Sequence, residues 1–120
     1  MTTNFVIFHK EHKRETPFRP TEADLQGLKY ELVARVDADE VEEAYKLTNS
    51  IHGFWGENES VTVLSRSKFT PRSTSVGDII VQFDGDMLQE ILIVAPAGHS
   101  SVRSRDFWVD KLKINPGIGV

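Results

Sequence analysis

Two strand-length segments rich in apolar residues, Ile79 to Phe83 and Leu88 to Ala95, flank the turn-forming triplet Asp84-Gly85-Asp86. No other feature limits the fold as strongly. Each run has the length of a strand, and the short polar break between them predicts an antiparallel hairpin. Gly85 supplies the positive φ that such a reversal often needs. Immediately upstream, Arg72-Ser73-Thr74-Ser75-Val76-Gly77-Asp78 leads into the first of these strands. Its hydroxyls suit a turn, with Val76 as the anchor and Gly77 as the bend.

Other segments place this hairpin in a larger sheet. Phe5-Val6-Ile7-Phe8 is apolar at both parities, which predicts a strand covered on both faces and central in the sheet. Tyr30, Leu32, Ala34 and Val36 alternate with Glu31, Val33, Arg35 and Asp37, the period of a half-buried strand to which Val33 is the exception. Val61 to Leu64 reads as a further strand. Asp37, with Glu40 three residues on, predicts a capped helix start, and Val41, Ala44, Tyr45, Thr48 and Ile51 follow at helical spacing. The helix is expected over 38–50.

The resulting expectation is an α+β fold: a single small domain, 1–120, with a mainly antiparallel sheet of about five strands and one principal helix. Residues 9–28 are charged and broken by Pro17 and Pro20, so a long loop is expected, with a helical turn at Thr21 to Leu25. Ser100 to Ser104 reads as loop, and Arg105 to Lys113 reads as either a short helix or a last strand, because its apolar residues fit neither period cleanly. The tail, 115–120, is rich in breakers and is expected to fray.

Composition removes several function classes. With 39% hydrophobic and 27% charged residues, the chain can bury one core, and its longest apolar runs are too short for a membrane span. The lack of cysteine excludes disulfides, thiolate zinc sites and a cysteine nucleophile. The N-terminus lacks the pattern of a secretory signal, so a cytoplasmic location without a membrane partner is expected. A net charge of -4 is opposite in sign to that of a typical DNA binder.

The string from Arg72 to Val81 admits two readings. Ser73, Thr74 and Ser75 could present hydroxyls and backbone N–H groups to an anion beside Arg72, with Gly77 permitting close approach, but the glycine and lysine spacing of a phosphate loop is missing, so the turn is the preferred reading. The same string resembles the Ser-x-Ser-Val-x-Asp-Val/Ile motif of small proteins of phages, plasmids and other mobile elements, including YodL-like domains. There the motif usually leads into a hairpin. The resemblance implies an accessory role in conflict between host and element, in the host cytoplasm, and supplies no catalytic residue.

Candidate chemistry is sparse elsewhere. His9 and His12, with Glu11 and Glu15, could ligate a metal from one helix face, yet the segment leaves a strand among Lys10, Lys13 and Arg14 and reads as solvated charge. His52 and His99 are isolated and read as loop or surface residues. No nucleophile elbow surrounds any serine, so Ser75, His99 and Asp78 make a poor triad. No metal, cofactor or catalytic residue is expected.

Binding residues stand out more clearly. Phe54 and Trp55 lie between Gly53 and Gly56 and can either anchor a partner or plug a loop over a small core, while Asp39, Glu42 and Glu43 belong to a run of five carboxylates between Asp37 and Glu43. These features predict a non-enzymatic binder of a host macromolecule, a protein first. An alternative is a nucleic-acid binding module using Arg66, Lys68, Arg72 and Trp108. A further alternative is a small hydrolase or nucleotide-binding enzyme centred on Ser73 to Asp78 and His99. An exposed strand edge or the apolar tail can support a homodimer.

Overall fold

The computed structural model describes residues 3–11, 20–49, 61–64, 74–85, 87–96 and 98–114. Along the chain run β1 (Thr3–Lys10), α1 (Glu22–Gln26), β2 (Tyr30–Asp37), α2 (Val41–Leu47), β3 (Val61–Val63), β4 (Ile79–Asp84), β5 (Met87–Ala95), β6 (Gly98–Ser101) and α3 (Arg105–Lys111). The strands form one six-stranded sheet of order β3-β2-β1-β4-β5-β6, antiparallel throughout. The fold is α+β. The additional strand is β6, where a loop is expected from sequence.

The sheet is covered on both faces because its central strands are apolar on both. Val6 and Phe8 of β1 join Ile79, Val81 and Phe83 of β4 in one core, which Leu25 of α1 and Trp108 and Leu112 of α3 complete. Phe5, Ile7 and Ile80 point the other way, into a second core closed by Ala44 of α2. Phe5, Ile7, Ile79 and Trp108 are fully buried. At roughly 1.5–3 kcal/mol for each large apolar side chain buried, the two cores hold the helices to the sheet.

Strand β2 departs from simple alternation for a local reason. Ile7 pairs with Ala34 but Phe8 pairs with Leu32, so Val33 is an extra residue, a β-bulge. The bulge reverses parity: Tyr30 and Leu32 pack against the first core, and Ala34 and Val36 line the second. Val33 thus breaks the alternation because it is the bulge.

Among the helices, the bounds of the principal one differ from expectation. Three short ones are present among the described residues: the expected principal helix, shortened, one at the expected helical turn and one in the segment left open between helix and strand. The helix expected over 38–50 is confined to Val41–Leu47, because β2 retains Asp37 as a strand residue and Glu40 takes the N-cap without a side-chain cap bond. Thr48 closes it, its Oγ1 donating to Ala44 O at 2.9 Å. Within the expected loop 9–28, β1 continues to Lys10, and α1 fills the predicted helical turn with a capping box between Thr21 and Asp24. The rest of that loop, 12–19, and the tail, 115–120, lie outside the described residues.

Arg105–Lys111 resolves as helix α3, and its start is tied to α1. The Glu22 carboxylate accepts from Arg103 N at 3.0 Å, Ser104 N at 2.9 Å and Trp108 Nε1 at 2.8 Å. Ser104, the N-cap, makes no side-chain cap bond, so Glu22 performs that task from another element. Partial burial acts to raise the pKa of Glu22, but these three hydrogen bonds and the charge of Arg103 outweigh it and hold the carboxyl below its ordinary value.

Candidate functional site

The turn that leads into β4 is built around a buried carboxylate. Asp78 is fully buried and accepts from Ser75 N at 2.7 Å and Lys10 N at 2.9 Å, so one side chain joins the turn to the end of β1. Gly77 takes φ +91° beneath the Lys10 side chain, a conformation that L side chains rarely adopt. The Tyr30 hydroxyl donates to Gly77 O at 2.8 Å. Over the described residues Thr74 to Asp78, the turn reading holds. Ser75 N–H is committed to a carboxylate, which disfavours an anion at that position.

His9 occupies this buried cluster, not solvent. Its side chain is 6% exposed, Nε2 lies 3.0 Å from Thr74 Oγ1, and Asp78 Oδ2 is 3.8 Å away. The reading of His9 as solvated charge is corrected, because β1 extends past Phe8 and brings residue 9 under the turn. The group is not a catalytic triad. Threonine and aspartate approach the same imidazole nitrogen, whereas a triad needs the two nitrogens on opposite partners, and Thr74 and Asp78 are closed to substrate.

A chain of bonds runs from this cluster to the surface. Thr74 N donates to Thr48 O at 2.8 Å, and Asn49 Nδ2 donates both to Thr74 O at 2.9 Å and to the Tyr45 hydroxyl at 2.6 Å. Tyr45 is thereby fixed at the edge of a cleft of ≈250 Å³ between α2 and the β4–β6 half of the sheet. Its floor is Ile80, Val94 and Ala95; Glu42, Lys46 and His99 bring charge and an imidazole to its walls.

Placement of the expected binding residues is uneven. Asp39, Glu42 and Glu43 are exposed at the start of α2, with Glu43 Oε2 accepting from Asp39 N at 3.3 Å, and Glu42 faces the cleft. Among the described residues none of these carboxylates has an ion-pair partner. Phe54, Trp55, Arg66, Lys68, Arg72 and Ser73 lie outside the described residues. Ser75 is exposed on its turn.

Trp108 is corrected as a nucleic-acid contact. It is fully buried, meets Tyr30 edge-on at 5.6 Å between ring centroids, and uses its N–H on Glu22, so no face is open to a base. His99 and Asp78 are also placed apart in role, the first exposed on β6 and the second buried against His9. Sequence reasoning missed Tyr45 and Lys46 as cleft residues. Their signal was present in the Glu42-Lys46 spacing of four, which puts both on one helix face.

Among the described residues, no three histidine or carboxylate side chains gather as cation ligands. Nor is any helix there long and apolar enough to cross a membrane. No protein-family model, curated protein or solved structure matches this chain.

Proposed function

We propose that this chain is a non-enzymatic binding protein that receives a basic segment of a host protein at the acidic start of α2 and the adjoining cleft. The observation that carries this reading is the cluster of exposed carboxylates, Asp39, Glu42 and Glu43, without ion-pair partners among the described residues and continuous with the cleft through Glu42. Like charges held together on a rigid element favour a cationic partner and speed its approach. Phe54 and Trp55 add the aromatic anchor in this reading. The similarity of Arg72 to Val81 to mobile-element proteins supports an accessory role in a phage or mobile element, acting in the host cytoplasm.

The test is capture of a partner from lysate of a bacterial host, with wild type, a Glu42→Lys/Glu43→Lys double variant and Trp55→Ala compared after each is shown to be folded. Both variants are expected to lose the partner, and capture by wild type is expected to weaken with salt. Undiminished capture by both variants overturns the reading. The nucleic-acid alternative loses support from the burial of Trp108. Retained binding to duplex or single-stranded DNA that weakens steeply with salt would restore it.

A further inference from the structure

From the edge of the sheet we infer that β6 is a self-pairing surface, at which a second copy of this chain adds its own β6 antiparallel to form one continuous sheet. Strand β6 is the last in the sheet, and all its residues are exposed. The hydrogen-bond phase shows which backbone groups face outward. Val102 N donates to Ile91 O, while both the N–H and the C=O of Val94 are used on the β4 side, by Asp78 O and Gly77 N. Given the pairs Leu92↔Ser101, Ile93↔Ser100 and Val94↔His99, the Ser100 backbone points in towards β5. His99 and Ser101 therefore direct their N–H and C=O groups away from the sheet.

This edge is complementary to itself. A two-fold axis through Ser100 sets His99 of each copy opposite Ser101 of the other, and each such pair exchanges both of its N–H···O=C bonds. Ser100 then faces its own copy at about 4.5 Å between Cα atoms, the spacing of a pair that exchanges no bonds. Side chains agree with this register. Ser101 Oγ donates to Glu90 Oε1 at 3.3 Å, so the pairing brings the His99 imidazole of one copy beside a carboxylate of the other. Lysine and proline, two of the guards against edge pairing, are absent from Gly98-His99-Ser100-Ser101.

Cysteine is absent from the chain, so one introduced thiol reports the register without ambiguity. Ser100→Cys is expected to form an intermolecular disulfide under mild oxidation, since the facing Cα spacing falls within the roughly 4.4–6.8 Å that a disulfide spans. Ser101→Cys, whose thiol faces His99 of the other copy, is expected not to. Sedimentation equilibrium of the unmodified chain is expected to show a monomer–dimer equilibrium that His99→Pro abolishes, because proline removes an outward N–H and leaves the inward bonds of Ser100 intact. A chain that stays monomeric up to about 200 µM, where a micromolar Kd would populate the dimer, overturns the inference. So does equal cross-linking of the two cysteine variants, or a dimer unaffected by His99→Pro.

Discussion

Glu22 shows how much one partly exposed side chain can organise. It stands in for a missing helix cap and joins α1 to α3, receiving two backbone N–H groups and the Trp108 indole. Glu22→Ala is expected to cost about 2 kcal/mol in urea unfolding, the range for loss of a cap with a charge-assisted bond. The carboxyl is held below its ordinary value of 4.5, so it binds its proton less readily folded than unfolded. Its stabilisation is therefore complete above pH 4.5 and is lost as the pH falls through the lowered folded value. The difference between wild type and Glu22→Gln should accordingly shrink between about pH 7 and about pH 3, and a constant difference would rule out this linkage. Asp78 makes a stronger case by burial. Asp78→Ala leaves the N–H groups of Ser75 and Lys10 without their acceptor in a closed site, and is expected to cost about 3 kcal/mol in the same assay.

Among the elements, α2 carries the candidate surface and begins without a side-chain cap. Glu40 sits at its N-cap with extended backbone, φ -136° and ψ 154°, yet caps nothing with its side chain. Aspartate has the shorter reach an N-cap needs. Glu40→Asp is expected to stabilise the protein by about 0.5–1 kcal/mol at unchanged charge, read as a raised urea midpoint. The same element shows where the sequence was legible. Ala44 marks the buried face and was readable from helical spacing, but the start was misassigned because Asp37 has the chemistry of a cap and the position of a strand residue. The hairpin and the central place of β1 were readable because their evidence is local and apolar. The parity switch at Val33 was not, since a bulge depends on pairing with Ile7 and Phe8 far along the chain. For the site, Asp39, Glu42 and Glu43 were readable as exposed acids. The assembly of Tyr45, Lys46 and His99 into one cleft was not, because it depends on β6 returning beside β5, and a short polar strand of glycine, histidine and serine has no apolar alternation to announce it.

At the scale of the whole molecule, protection should fall from the middle of the sheet to its edge. Strands β1 and β4 are paired on both sides and covered on both faces, so their central amides, Val6, Ile7, Ile80 and Val81, can exchange only through the largest openings. Strand β6 has a neighbour on one side only, and its amides divide by parity. In dilute protein, hydrogen exchange followed residue by residue should find Ser100 protected through Ile93, while His99 and Ser101 exchange at nearly the rate of open chain. Rising concentration separates the possible arrangements. If a second copy docks at this edge, His99 and Ser101 gain protection together while Ser100 and the amides of β1 change little, because only the outward groups acquire partners. Protection of His99 and Ser101 that is already high in dilute protein would instead mean that another segment of the same chain covers the edge, which would withdraw β6 as a surface for pairing.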